Sequence, residues 1–421
     1  MKSNRNIFKT ISKLTKVIMI VVVICTSNIL FYGCSFISKE SKYNNKIDIE
    51  DKSNKDLKNN NMVEEFGAEE PQVNPIQDEI NAMSLEEKVG QLFIVGFDGY
   101  EVDDNIISLI KNKKVGGIIL FSKNINTVSG TKKLIESLNG LNNENKVKLF
   151  MSVDEEGGVV SRIPKEMGRF ESAWDVGATG DLNYAFEHGK AIGETIKSLG
   201  FNLDFAPVLD VNSNPNNPVI GNRAFSDDPE IVKKMGTEVY KGLKSAGVLG
   251  VGKHFPGHGD TDVDSHVGVP VINKSLDELK KLELIPFKYA IDNGVEMIMV
   301  GHLYLPQLDK DYVASISENI VTKLLREELG FNGVVVTDDM IMEGVKGKYP
   351  TNESAVKAIE AGNDIIIVSS GIHDQNSAID GVVEAVRNGI ITEKRINESV
   401  YRILKLKNTI SRHWITYIIV I

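Results

Sequence analysis

Cysteine is nearly absent from this chain. Cys25 and Cys34 are the only two among 421 residues, and both lie in the first 34. Neither a disulfide framework nor a thiolate metal cage can form in the remainder. No Gly-x-Gly-x-x-Gly turn follows the first strand-like run, so the usual signature of dinucleotide binding is missing as well. Positive charge is in deficit: 48 Lys and Arg stand against 58 Asp and Glu, for a formal net charge of −10. With no long basic stripe to neutralise a phosphate backbone, nucleic acid is disfavoured as a partner and a neutral or polar small substrate fits better. What is present is the material of a folded enzyme. The chain is 42% hydrophobic and 25% charged, and long enough for one large domain or two ordinary ones.

Acidic residues are absent before Glu40, while Lys2, Arg5, Lys9, Lys13 and Lys16 precede the apolar run Val17 to Ile24. That is the layout of a secretory signal. Gly33-Cys34 then offers a cleavage and lipid-attachment point, and the segment resembles a bacterial lipoprotein signal. The resemblance implies a lipidated Cys34 on the outer face of the cell membrane. Phe31 and Tyr32 stand where such signals usually carry Leu and a small residue, so an uncleaved anchor of Val17 to Phe31 stays open beside it, although it is short for a full span. Both readings, and simple secretion, place the folded part outside the cytoplasm.

Residues 1–34 are thus read as a signal peptide. Residues 35–75, rich in Lys, Asn, Asp, Glu and Ser, bury too little apolar surface to fold and form a disordered tether. Residues 76–411 form the folded domain. Ser84 and Glu87 make a capping box for its first helix. Eight short apolar runs follow: Phe93 to Gly96, Gly117 to Phe121, Leu149 to Val153, Phe201 to Phe205, Val248 to Gly252, Met297 to Val300, Val334 to Val336 and Asp364 to Val368. Their near-continuous Val, Ile, Leu and Met mark strands buried on both faces, with room for a crossover helix between each pair. The fold class is α/β, and eight such units close into a single (β/α)8 TIM barrel. An open doubly wound sheet would satisfy the same alternation. The barrel is preferred because polar groups sit just past most strand ends, at Asp154, Asp210, Lys253, His254, His302 and Asp338. The last helix is read as Glu393 to Lys407, and residues 412–421 as a short apolar, β-prone tail of unknown role.

The densest chemical cluster is Lys253-His254-Phe255-Pro256-Gly257-His258-Gly259-Asp260, followed by Asp264-Ser265-His266. His254 and His258 have the spacing that would place two metal ligands on one helix face, but Pro256 and Gly257 between them disfavour that helix. No metal is expected. Asp264 and His266 are two apart, which in an extended segment points both side chains the same way. A carboxylate accepting from one imidazole nitrogen frees the other to exchange a proton with substrate. A surface Asp/His hydrogen bond would look the same. Asp338, where the run Val334 to Val336 emerges, suits a carboxylate nucleophile. The bland alternative is a helix N-cap, for which Asp339 is the better candidate.

In these segments the sequence resembles the glycoside hydrolase family 3 β-N-acetylglucosaminidases of the NagZ type, which act in cell-wall turnover. The resemblance spans roughly residues 76 to 411. It rests on Met83 to Phe93, Asp154-Glu155-Glu156-Gly157-Gly158, Ala206 to Asp210, Asn217 to Arg223, Lys253 to His266, and Thr337-Asp338-Asp339-Met340. It implies that Asp338 is the nucleophile and that His266, held by Asp264, is the general acid/base. Asp154, Arg223, Lys253 and His254 are implied to grip the sugar hydroxyls, while Asp210 and His302 match the pattern with less defined roles. Two departures stand out. Val159 replaces an Arg common after the Gly-Gly pair, with Arg162 nearby, so one polar contact near that wall is expected to be missing. Glu155 replaces a common Gln or His.

The expected reaction is retaining hydrolysis of terminal β-linked N-acetylglucosamine, with peptidoglycan fragments or other N-acetylglucosamine-containing glycans as substrate. No cofactor is expected, and oligomeric state is silent. The rivals are a β-glucosidase or other exo-glycosidase of the same family, phosphorolysis in place of hydrolysis, and an inactive sugar-binding lipoprotein.

Overall fold

The structure is a computed structural model that describes residues 74–262 and 268–420, with 410–420 as backbone only. The signal segment with Cys34 and the tether through residue 73 lie outside the described residues, as do Asp264 and His266.

The capping box is present but does not open the first helix. Pro75–Asn81 precedes it, with the Asn74 side chain accepting from the Gln77 N–H and Pro75 at the first helical position, where its missing N–H is not needed. The Ser84 hydroxyl then accepts from the Glu87 N–H at 3.2 Å, and the Glu87 carboxylate accepts from the Ser84 N–H at 2.9 Å, opening Leu85–Gly90.

Among the described residues nine parallel strands follow: β1 (Phe93–Val95), β2 (Gly117–Ile119), β3 (Phe150–Val153), β4 (Leu203–Asp204), β5 (Leu249–Gly250), β6 (Gly252–Phe255), β7 (Met297–Val300), β8 (Val334–Asp339) and β9 (Ile365–Val368). They pair in the order β5-β4-β3-β2-β1-β9-β8-β7-β6. Only Val251 separates β5 from β6, so the two ends of that order are one stretch of chain and the sheet returns on itself. The eight apolar runs are therefore eight staves of a (β/α)8 barrel, the fifth interrupted at Val251. An open sheet would leave two unrelated edges.

Burial explains the composition of the staves. Every residue of β7 and β9 is buried, because side chains fill the bore on one side and helices cover the other, Leu284–Asp292 over β7 and Thr351–Ala361 over β9. Each such Val, Ile or Met contributes roughly 1.5–3 kcal/mol by leaving water. Two boundaries differ from expectation for a shared reason. The fifth stave runs on to Phe255 and the eighth to Asp339, since Lys253, His254 and Asp338 find partners at the strand ends and need no solvent.

The last helix runs Glu393–Val420, so the segment read as a β-prone tail is helical throughout its described residues. No Gly or Pro follows Lys407 to stop it. Trp, Ile and Tyr lose only a few tenths of a kcal/mol against good helix formers, which is small beside extending a helix that already exists.

Candidate active site

Asp154, Asp210, Lys253, His254, His302 and Asp338 all lie at or just beyond the C-terminal ends of their strands, the face where barrel enzymes assemble residues from several staves. A cavity of about 760 Å³ opens there, lined by Asp154, Arg223, Lys253, His254 and Asp338 among others. Five of the residues implied by the resemblance thus share one space. Asp210 and His302 stand behind it.

Asp338 is the best-prepared anion of the group. Burial would raise its carboxyl, but His302, His254, the N–H of Asp339 and Lys253 outweigh burial and hold it below the usual aspartate range. The Asp339 N–H donates to Asp338 Oδ1 at 2.8 Å. A carboxylate kept ionised and partly desolvated is what a nucleophile requires. Neither Asp338 nor Asp339 caps a helix: the next one, Glu343–Lys346, is entered through Met342 without a side-chain cap. Asp339 Oδ1 instead accepts from the Ser369 N–H at 3.1 Å, tying β8 to the end of β9. Burial pushes the Asp339 carboxyl up to about 6, the adjacent Asp338 adding to the effect.

His302 holds this strand end. Its Nε2 donates to the Asp339 carbonyl at 2.9 Å and its Nδ1 lies 2.7 Å from Ser315 Oγ. Asp210 does the same for the histidine cluster. Its fully buried carboxylate lies 2.7 Å from His254 Nδ1 and accepts from the His258 N–H at 2.7 Å. That bond keeps the proton on Nδ1 and turns His254 Nε2 toward Arg223, 3.5 Å from Nη2. His254 and His258 sit on a strand and the turn after it, not on a helix. Gly257 makes the turn at φ 126°, where a Cβ would come 2.8 Å from Glu283 Cβ.

The gripping wall is an alternating lattice of charge. Lys253 Nζ donates to Asp154 Oδ1 at 2.9 Å and to Glu156 Oε1 at 2.7 Å. Arg223 donates from Nε and Nη2 to the two oxygens of Glu156, both at 2.8 Å, and from Nη1 to the Val219 carbonyl at 3.1 Å. Burial opposes the charged form of each, and the partners outweigh it: Glu156 is held far below and Lys253 above its ordinary value. The ammonium of Lys253 has three donors and gives two to these carboxylates, leaving one for a hydroxyl in the cavity.

A family model settles the relationship. The glycosyl hydrolase family 3 N-terminal domain matches residues 84–406. The chain belongs to glycoside hydrolase family 3. Within that family it is 37% identical over 324 residues to beta-hexosaminidase A of Pseudoalteromonas piscicida, an alignment covering 71% of this chain and 54% of that protein. A beta-hexosaminidase of Methylobacillus flagellatus is 35% identical, over 64% of this chain and 78% of its own length. Among solved structures, a family 3 beta-N-acetylglucosaminidase from Paenibacillus sp. str. FPU-7 superposes with a TM-score of 0.77 at 42% identity, covering 78% of this chain and 63% of that one. The chain therefore spans little more than half to about two thirds of two of these relatives.

Several residues of this family 3 site carried no role in the sequence reading. Glu156 belongs to a recognised motif, yet its partners lie 67 and 97 positions away, beyond the reach of any local pattern. Arg162 corrects the expectation of a missing contact. Val159 is 69% exposed and does not line the cavity, whereas Arg162 does, and its buried Nε has no partner among the described residues. The wall keeps a guanidinium after all. Gly157 and Gly158, at φ 79° and 56°, make the tight turn that brings the chain back to Arg162.

Asp264 and His266, lying outside the described residues, are not placed by this geometry. The residues on either side are anchored next to the site: Asn214 Nδ2 donates to Asp262 Oδ1 at 2.5 Å, and Lys274 pairs with Asp260 at 2.7 Å.

Proposed function

We propose that this family 3 chain is an exo-acting, retaining β-N-acetylhexosaminidase that removes terminal, non-reducing β-linked N-acetylglucosamine, with peptidoglycan fragments as its natural source. One observation carries the reading: an ionised Asp338 and a lattice of hydroxyl-binding charges line the same cavity. The lattice suits a polar ring held away from its anomeric carbon, which orients that carbon for attack. The hexosaminidase names of the relatives support the N-acetyl sugar.

Asp338 attacks the anomeric carbon as the glycosidic C–O bond breaks, and His266, oriented by Asp264, gives its proton to the leaving oxygen. Water, deprotonated by His266, then attacks the same carbon and releases Asp338, so configuration is retained after two inversions. The test is turnover of 4-nitrophenyl N-acetyl-β-glucosaminide, with the anomer of the first product read by NMR. Parent-level turnover by Asp338→Ala, or an inverted first product, overturns the mechanism. Faster cleavage of the aryl β-glucoside overturns the substrate.

We further propose an extracytoplasmic location, with Cys34 lipidated on the outer face of the membrane. The charge asymmetry of residues 1–34 supports it. Metabolic labelling with a fatty acid should mark the parent and not Cys34→Ser; equal labelling, or none in either, rejects lipidation.

A further inference from the structure

Directly behind the gripping wall lies a second pair of acids that the proposed chemistry does not use. Glu155 follows Asp154 at the end of β3, and Asp204 closes β4; neither has any solvent exposure. The Glu155 N–H donates to Asp204 Oδ1 at 2.9 Å. Glu155 Oε2 accepts three bonds, from Ser161 Oγ at 3.0 Å, the Arg162 N–H at 2.7 Å and the Ile163 N–H at 3.1 Å. The other oxygen of each acid, Glu155 Oε1 and Asp204 Oδ2, is buried with no hydrogen-bond partner.

Two full charges there are untenable. The charged groups that face the pair are Lys253 from β6, Asp154 from β3 and Arg169 from the loop beyond Lys165–Met167, and Lys253 is already bonded to Asp154 and Glu156. An ionised carboxylate without adequate compensation costs several kcal/mol in such a place, so a proton is retained. Burial pushes both carboxyls up, Asp204 the further, and the Glu155 charge adds to the rise at Asp204.

We infer that the buried Glu155 and Asp204 pair keeps a proton on one of its acids and acts as a positioning pair for the sugar-gripping loop that runs from Asp154 to Arg162. Glu155 is the hub of that loop. Its backbone is pinned to β4 and its carboxyl gathers the turn after Gly157-Gly158, so Asp154, Glu156 and Arg162 are set in the cavity wall by one residue that does not reach the cavity. Loss of that proton as pH rises leaves both acids charged, loosens the loop and weakens sugar binding, while Asp338 on the separate strand β8 keeps its environment.

The inference rests on the glycosidase reading only for its kinetic readout. In the intact chain, the infrared carbonyl stretch of a protonated, buried carboxyl is expected at neutral pH, and it should be missing from Asp204→Asn, which removes the acid that burial raises further. This measurement is independent of any activity. Kinetically, the parent's KM for the aryl N-acetylglucosaminide should rise about tenfold toward alkaline pH with kcat changing far less. Glu155→Gln, which keeps an acceptor oxygen for Ser161, Arg162 and Ile163 and carries no charge at any pH, should flatten that rise. Glu155→Ala should raise KM at every pH. A parent without the infrared band, or a Glu155→Gln profile that superposes on the parent's, overturns the proposal. If the chain proves not to cleave the substrate, calorimetric binding of N-acetylglucosamine across the same pH range replaces KM, so failure of the enzymatic reading is separable from failure of this one.

Discussion

The barrel carries a buried charge cluster at each end of its strands, and the two differ in what they leave unsatisfied. At the C-terminal end, Lys253, Arg223, Asp154 and Glu156 interlock, but Lys253 retains a spare donor on the wall of an open cavity that Arg162 also lines. At the N-terminal end, Asp364 precedes β9 and spends both oxygens within the protein. Oδ2 accepts from Arg326 at 2.6 Å and from the Val335 N–H at 3.0 Å; Oδ1 accepts from Ser399 at 2.6 Å and Arg402 at 3.0 Å. Arg326 gives its remaining donors to the carbonyls of Gly362 and Gly333, and Arg395 donates to the carbonyls of Ile359 and Asn363 and to Ser399 Oγ. Buried charge is no sign of a site by itself. Surplus donors facing empty space make one; a cluster closed on itself is a clamp, here holding the last helix to the barrel floor.

The sharpest break between the two ends comes from Asp338. Asp338→Asn should lower kcat by about 10⁴-fold while the melting temperature moves by no more than a few degrees, because the substitution keeps the volume and removes a charge that burial disfavours. Parallel aryl-glycoside kinetics and calorimetric melting check both halves. A large loss of stability would make Asp338 part of the scaffold.

Asp364→Ala should do the opposite. It leaves Arg326, Arg395 and Arg402 without their shared counter-charge, a loss of about 3–5 kcal/mol in unfolding free energy. Turnover per folded molecule should persist. Denaturant unfolding, with activity corrected for the folded fraction, tests it; normal stability would show that the clamp is dispensable.

Lys253→Met lies between them. Glu156 keeps Arg223, so the fold should lose less than in Asp364→Ala, but kcat/KM should fall on the order of 100-fold, or about 2.7 kcal/mol, through the lost grip. A variant that unfolds like Asp364→Ala yet turns over normally when folded would erase the distinction between the two ends.

These contrasts also explain what was legible beforehand. Staves such as Ile365–Val368 announce themselves because burial on both faces leaves no polar alternation, and Asp338 stands out as the acid that ends such a run. The barrel and the cavity residues Asp154, Lys253, His254 and Asp338 at its strand ends followed from that logic, whereas Arg223 came only with the family resemblance. Arg162, Glu156 and the Glu155–Asp204 pair did not. Their meaning is set by partners on other staves and by which atoms end up unpartnered, neither of which has a local pattern. The clamp was hidden for the same reason: Asp364 reads as an ordinary acid before a strand until Arg326 and Arg402 are brought against it from helices on either side in sequence.

The smallest test concerns the other charge at the floor. Lys407 donates to Gln91 Oε1 at 2.9 Å and the Gly116 carbonyl at 2.7 Å, with its ammonium 4.6 Å from the Phe150 ring centre. Burial pulls it down to about 7, with only a weaker opposing influence from Glu79. The unfolded chain holds this proton up to about pH 10. Between about pH 7 and 10 the unfolded state therefore binds more protons than the folded state, and stability from this position rises with pH. The integrated gain from pH 7 to pH 8 is about 1 kcal/mol. Urea unfolding at the two pH values should show the parent gaining that much over Lys407→Met, with turnover the same in both. A constant difference would mean that the ammonium stays charged across the interval, and that the carbonyl, the amide and the ring compensate its burial as fully as the carboxylates do for Lys253 at the opposite end.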